Sequence, residues 1–257
     1  MRALLSLLAL AALAYLGLVV WVYTTQRGQI YFPVPESRHP GAEALWLEND
    51  AGRIKVWHVA RAGSRALIYF GGNAEDVSGN IESFAAAFPG HSLFLVNYRG
   101  YGGSTGRPSE DGLNADALAV FDHVQQAHRD ITVMGRSLGS GVAVALASKR
   151  PVDWLVLVTP YDSLVEVARE YFGWLPVGLL LKDRYESAGL ARAVDAPVLI
   201  VIAAEDEVIS RPRSEALAGA FAPGQVRKAI VQGATHNTLD ASTGYLGVVQ
   251  DFLRSQD

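Results

Sequence analysis

Ser137 stands in Gly135-Arg136-Ser137-Leu138-Gly139, directly after the apolar run 131–134 and directly before the small-residue helical pattern 142–147. The order is strand, sharp turn, helix, with a serine at the apex. Such an apex holds its residue in a strained conformation that costs about 1–3 kcal/mol, and it lifts the hydroxyl clear of the sheet edge. Gly135 and Gly139 fit because the flanking strand and helix come too close for a Cβ. The first helical turn brings free N–H groups and a positive dipole end beside the serine. The chemistry this suggests is nucleophilic acyl transfer. The pattern is short enough to recur by chance, and it does recur, in Gly102-Gly103-Ser104-Thr105-Gly106. That copy lies in a glycine-rich run, with Pro108 following and no helix starting from it, so Ser104 is read as a loop serine.

A serine hydroxyl needs a base. Of six histidines only His236 lies beyond Ser137, in Gln232-Gly233-Ala234-Thr235-His236-Asn237 after the last apolar run. His39, His58, His91, His123 and His128 fall in a linker, on strands or on helices, and are read as surface or core residues. The base in turn needs an acid to fix its tautomer. Asp206 follows the run 198–202, at a strand end, which favours it. Glu205, Glu207 and Asp162 satisfy the same chain order and remain competitors. The developing oxyanion needs backbone donors. Leu138 N–H supplies one by position. Gly71-Gly72-Asn73-Ala74, after the run 66–70, can supply the other through Asn73, although a plain strand-to-helix turn would use the same residues.

The elements that must position these groups follow a recognisable rhythm. Residues 45–48 and 53–59, around Asn49-Asp50-Ala51-Gly52, read as a β-hairpin. Mainly apolar runs follow at 66–70, 92–96, 131–134, 154–158, 198–202 and 226–231. Helical patterns fill 76–88, 114–128, 138–149, 213–221 and 243–253. Continuous apolar strands alternating with helices mean a mostly parallel central sheet with helices on both faces, an α/β fold. One domain, 43–257, has room for a sizeable core. Residues 161–194 break the rhythm and hold the apolar stretch 171–181; they are read as a cap or lid insertion over the site.

Composition narrows the alternatives. The chain has 257 residues, a formal charge of -4 and no cysteine. The mild acidity and the lack of a basic, aromatic-laced run argue against a nucleic-acid partner. Disulfides and thiolate sites are excluded. There is no His-Glu-x-x-His, no phosphate-binding Gly-x-x-x-x-Gly-Lys and no paired-histidine spacing. Gly100-x-Gly102 and Gly139-x-Gly141 are incomplete dinucleotide fingerprints, with Thr105 and Val144 at the third glycine. No metal and no cofactor are expected.

Residues 3–23 form an uncharged stretch of Leu, Ala, Val and aromatics. About 21 residues at 1.5 Å each span roughly 31 Å, the thickness of a bilayer core. Trp21 and Tyr23 sit where an aromatic belt lies. The rival reading is a cleaved signal peptide, but the apolar run continues past the small-residue site Ala12-Leu13-Ala14. Residues 1–25 are therefore expected to be an uncleaved single-pass anchor. Arg2 and the amino terminus stand against Arg27 and Arg38 across this stretch, and the short amino-terminal tail favours the domain outside the cytoplasm. Residues 26–42, with Pro33, Pro35 and Pro40, read as a linker whose Tyr31 and Phe32 either dock on the domain, the preferred reading, or lie at the membrane interface.

Almost the whole chain after the apolar stretch resembles the BEM46-like branch of the α/β-hydrolases, which includes ABHD13-type membrane-anchored members. The resemblance rests on Ile30-Tyr31-Phe32-Pro33, Gly72-Asn73-Ala74, Asn97-Tyr98-Arg99-Gly100-Tyr101-Gly102-Gly103-Ser104 and Gly135–Gly139. It continues through Thr159-Pro160-Tyr161-Asp162-Ser163-Leu164, Asp206-Glu207-Val208 and Thr235-His236-Asn237. It implies the α/β-hydrolase fold, a Ser137–Asp206–His236 triad and an oxyanion hole of the Asn73 and Leu138 amides. The family's usual His-Gly before the oxyanion loop is here Gly71-Gly72, and a glycine and a proline flanking the acid are replaced by Ala203 and Ser210. The expected activity is hydrolysis of an ester, thioester or amide through an acyl-enzyme. The anchor and the segment around Phe172, Trp174 and Leu179 suggest acyl or lipid-like substrates, unless that segment merely packs on the core. The rival is a catalytically idle, membrane-tethered scaffold that binds a partner.

Overall fold

The computed structural model describes residues 1–50, 52–239 and 244–254. Among them, eight strands form one sheet: β1 (Glu43–Asn49), β2 (Gly52–Val59), β3 (Arg65–Phe70), β4 (Ser92–Val96), β5 (Asp130–Arg136), β6 (Trp154–Val158), β7 (Val198–Ala203) and β8 (Val226–Val231). Their order is β1-β2-β4-β3-β5-β6-β7-β8. The expected hairpin is β1 with β2, antiparallel, Leu45 opposite Val56 and Leu47 opposite Ile54. Ala51 of its turn lies outside the described residues. β2 is also antiparallel to β4, and every pair from β4 to β8 is parallel.

The helices are α1 (Arg2–Ile30), α2 (Ile81–Ala87), α3 (Glu110–Val124), α4 (Leu138–Ala147), α5 (Leu164–Phe172), α6 (Val177–Leu180), α7 (Ser187–Leu190), α8 (Arg211–Ala220) and α9 (Tyr245–Arg254). Alternate strand residues face opposite sides, so the sheet has two cores. Ile68, Phe70, Val133 and Leu155 pack with Val120 and Phe121 of α3 and Val142 and Leu146 of α4. Leu67, Tyr69, Met134 and Val156 pack with Phe84 of α2 and Val249 and Phe252 of α9. Each large side chain fully buried in this way contributes about 1.5–3 kcal/mol.

Two helices of the domain differ from expectation, and the expected start of a third falls outside the described residues. α3 starts four residues early because Ser109 caps it, accepting from Gly112 N–H at 3.2 Å. The helix expected over 76–88 is a 3₁₀ turn, Val77–Asn80, followed by α2. The start expected for α9, at Thr243, lies outside the described residues, and its helix begins at Tyr245.

α1 runs 29 residues, long and apolar enough to cross a membrane, and no side chain in its most apolar window is buried. It also continues to Ile30, beyond the expected end at residue 25. Gln26 and Arg27 read as linker residues, but they are held by the 161–194 excursion: the Arg27 guanidinium meets Asp183 at 2.8 and 3.0 Å. Tyr31 then enters the core, its hydroxyl 2.9 Å from that of Tyr185, while Phe32 stays exposed.

A parallel sheet brings the carboxyl ends of its strands, and the loops beyond them, to one edge. Residues 71–74 follow β3, Ser137 follows β5, Asp206 follows β7 and His236 follows β8. A depression of about 580 Å³ bordered by Arg65, Phe88, His91 and Trp154 opens at the other edge, where strands begin.

Candidate active site

Ser137 joins β5 directly to α4 with φ 48° and ψ -116°, in the left-handed half of backbone space that side-chain-bearing residues avoid. Holding it there costs about 1–3 kcal/mol. The two glycines around it answer to contacts with backbone. A Cβ on Gly135 would lie 2.3 Å from Gly139 O, and one on Gly139 would lie 2.1 Å from Phe70 O. α4 is thus pressed against β5 and against the end of β3, and all ten of its residues are buried. The Ser137 N–H donates to Val158 O at 2.9 Å, tying the apex to β6.

His236 is brought to Ser137 by two backbone bonds. Its N–H donates to Glu207 Oε2 at 3.0 Å, and its carbonyl accepts from Arg136 Nη2 at 2.9 Å. The ring then spans the gap: Nε2 lies 3.0 Å from Ser137 Oγ, and Nδ1 lies 2.9 and 3.0 Å from the two oxygens of Asp206. The side chains of His236 and Asp206 are only 9% and 3% exposed, so water competes little for this line of bonds. Asp206 is fixed in turn by Val208 and Ile209 N–H, at 2.9 and 2.7 Å from Oδ1. A carboxylate on Nδ1 leaves the lone pair on Nε2, where an imidazole can accept a serine proton.

The competing acids are elsewhere. Glu207 holds the backbone of His236 and reaches Asn237 Nδ2 at 3.4 Å. Glu205 is exposed, its N–H on Ala234 O. Asp162 lies 3.2 Å from Arg213; burial raises its carboxyl pKa while the Arg213 charge opposes the rise. Ser104 is buried, accepting from Lys55 N–H at 2.9 Å and donating to Asn97 O at 2.9 Å, which makes it a brace of its loop.

The loop after β3 lies against Ser137, since a Cβ on Gly72 would stand 3.7 Å from that of the serine. Its amides are differently occupied. Gly72 N–H donates to Glu75 Oε2 at 2.6 Å, and Ala74 N–H to Asn73 Oδ1 at 3.1 Å. Among the described residues, the N–H groups of Asn73 and Leu138 donate to no protein acceptor. That leaves them available to an oxygen beside Ser137.

Several positioning groups escaped the sequence reading. Glu75 also pairs with Arg136 at 3.1 Å and accepts from Tyr69 OH at 2.8 Å, so one carboxylate joins the glycine loop to the residue that carries His236. Tyr98, kept protonated by burial and by the nearby Glu75 charge, donates to Gly71 O at 2.7 Å. The Asn73 side chain donates to Ile30 O at 2.5 Å and accepts from Phe32 N–H at 3.0 Å and Tyr101 OH at 2.8 Å. The end of α1 therefore braces the loop. A charge closing an apolar run, Arg136, was the one visible hint.

Ser137, Asp206, His236, Leu138 and Asn73 are thus gathered at one edge. The structure leaves Phe172, Trp174 and Leu179 on the outside of the 161–194 excursion, 51%, 60% and 87% exposed, while Leu175 and Val177 face inward. Among the described residues, no group of three His, Cys, Asp or Glu side chains is arranged to hold a metal ion.

Comparison with known proteins gives the family. Residues 65–190 match the family model for the alpha/beta hydrolase fold. An uncharacterized protein of Mycobacterium tuberculosis, Rv2307c, is 36% identical over 97% of this chain and 94% of its own length. Bem46 of Schizosaccharomyces pombe is 27% identical over 74% of this chain and 68% of its own. The lysophosphatidylserine lipase ABHD12 of Macaca fascicularis is 32% identical over 65% of this chain, which spans about half, 48%, of that longer protein. With lipase relatives, a parallel sheet of this order and a serine at the tip of β5, the chain belongs to the α/β-hydrolase family, among relatives of the BEM46-like branch.

Proposed function

We propose that this protein is a membrane-anchored serine hydrolase that cleaves carboxylic ester or thioester bonds of acyl, lipid-like substrates through an acyl-enzyme. The observation that carries the reading is the bond line from Asp206 through His236 to Ser137, at 2.9 and 3.0 Å, ending on a serine held at positive φ. His236 Nε2 takes the Ser137 proton as Oγ attacks the carbonyl carbon. The resulting oxyanion accepts from the N–H groups of Leu138 and Asn73. The imidazolium returns its proton to the departing alcohol or thiol, leaving the acyl group on Oγ. Water, deprotonated by the same nitrogen, then releases the acid and restores the serine.

The lipid-like class draws on the lipase named among the relatives and on α1, in whose most apolar window no residue is buried. In this reading residues 1–25 span the bilayer, residues 43–257 form the hydrolase domain on the extracytoplasmic side, and residues 161–194 cap the site. The test is hydrolysis of acyl esters and thioesters of graded chain length by the full chain in lipid nanodiscs, with a lysophospholipid in the same series. Turnover should rise with chain length and vanish in Ser137→Ala. A flat profile would remove the lipid-like class, and no turnover of any member would favour the idle scaffold.

A further inference from the structure

Two segments far apart in sequence change from apolar to polar at the same level. On α1 the uncharged stretch gives way at Gln26 and Arg27; on the excursion it gives way at Lys182 and Asp183. The two boundaries are bonded to each other. Gln26 Nε2 donates to Leu180 O at 3.0 Å, Lys182 N–H donates to Gln26 Oε1 at 2.8 Å, and Arg27 meets Asp183. The Lys182 ammonium sits 4.1 Å over the Tyr23 ring, as a snorkelling lysine does at a membrane surface.

Beyond that level the excursion climbs along α1. The Tyr15 hydroxyl donates to Trp174 O at 3.1 Å. Gln26 lies eleven helical steps after Tyr15, about 16 Å along the axis and roughly half of a ~30 Å hydrocarbon core. Residues 172–181 carry no charged side chain. Most of their carbonyls are paired, as hydrocarbon favours: besides those of Trp174 and Leu180, Gly178 O accepts from Arg184 Nη1 at 2.7 Å and Pro176 O accepts from Leu179 N–H at 2.9 Å. Yet Phe172, Trp174 and Leu179 stay largely exposed.

We infer that the tip of the excursion, residues 172–181, is seated in the same bilayer leaflet as the adjoining half of α1, so that substrate reaches the site from the lipid side. This rests on the reading of α1 as a membrane span. The charges at the base of the tip limit its depth: Arg169 pairs with Glu166, Glu170 precedes Tyr171, and Arg184 caps Gly178 from the polar side. The site is coupled to this surface at two points. Tyr171 OH donates to Glu207 O and Val208 O, at 3.0 and 2.9 Å, on the loop of Asp206. Asn73 is held by Ile30 and Phe32 at the end of α1. The base of the tip thus adjoins the acid loop, and the end of α1 adjoins the oxyanion loop.

The chain has no cysteine, so single labels are unambiguous. Trp174→Cys, Leu179→Cys, Leu16→Cys and Ile230→Cys, each carrying an environment-sensitive fluorophore, are compared in the full chain in phosphatidylcholine–phosphatidylglycerol nanodiscs. Quenchers are phosphatidylcholine with a nitroxide on its acyl chain, and aqueous iodide. Labels at 174 and 179 should lose fluorescence to the nitroxide lipid as the label at 16 does, and resist the iodide that quenches 230. Nitroxide quenching at 16 with iodide quenching at 174 and 179 would overturn the inference and leave the anchor standing. Iodide quenching at 16 as well would overturn both. Labels at 174 and 179 shielded from both quenchers would mean a second copy or another protein covers the tip, and would overturn it too.

Discussion

Replacing Asp206 by asparagine separates the proposed acid from its neighbour Glu207. Asp206 accepts from Val208 and Ile209 N–H through Oδ1, and both its oxygens lie within 3.0 Å of His236 Nδ1. Asparagine has the same shape, and its carbonyl can keep the two backbone bonds, so the loop should hold. Its amide NH₂ would then face Nδ1, favouring the tautomer with the proton on Nε2. That nitrogen cannot accept the Ser137 proton. The expected loss in kcat is about 10⁴-fold, or about 5 kcal/mol of transition-state stabilisation. Glu207→Gln makes the contrast. Its carboxylate holds the His236 N–H and no ring atom, and glutamine still offers an acceptor. Exchanging a charge-assisted bond for a neutral one costs about 1 kcal/mol, roughly fivefold in rate. Steady-state hydrolysis of a short chromogenic ester measures both, with unfolding curves to show that the fold is intact. Equal losses in the two variants, or a loss under about tenfold in Asp206→Asn, would refute the assignment.

The remaining predictions concern the apex and its loop. Ser137→Gly should unfold about 1 kcal/mol harder than the parent in urea while losing all turnover, because glycine adopts φ 48° without strain; an unchanged or lowered midpoint would contradict the strain. Asn73→Ala keeps the main-chain N–H but frees the loop from Ile30, Phe32 and Tyr101, so kcat should fall about 10²-fold with KM little changed. Tyr101→Phe, which removes one of those bonds, should fall less in the same assay, and a larger fall than in Asn73→Ala would show that Asn73 is not the hub.

What was legible in the sequence was local. The Ser137 turn is written in five consecutive residues because strand, apex and helix are contiguous, and the glycine positions answer to backbone contacts within that unit and the adjoining β3 end. His236 could be found by elimination, being the one histidine after the apex. The inner strands were visible because buried parallel strands are nearly unbroken apolar runs, whereas the edge strand β8 carries Arg227 and Lys228. The choice of Asp206 over Glu205 and Glu207 was legible only as a preference for the strand end, since three adjacent acids leave it in different directions. It is decided by which carboxylate the Val208 and Ile209 amides turn toward the ring. Glu75 with Arg136 was invisible for a related reason: the pair is 61 residues apart and becomes a contact only when β3 and β5 lie side by side. The continuation of α1 through Gln26 and Arg27 depends on partners more than 150 residues away, so polar residues that look like a linker remain helical.

Whether Ser137 is the nucleophile can be measured by treating the full chain with a fluorophosphonate, which forms an Oγ–phosphorus bond with loss of fluoride. The adduct is then located by mass spectrometry of the digested protein. It should lie on the peptide containing Ser137, vanish in Ser137→Ala and His236→Ala, and persist undiminished in Ser104→Ala. An adduct on any other residue, or labelling that survives Ser137→Ala, would contradict the account.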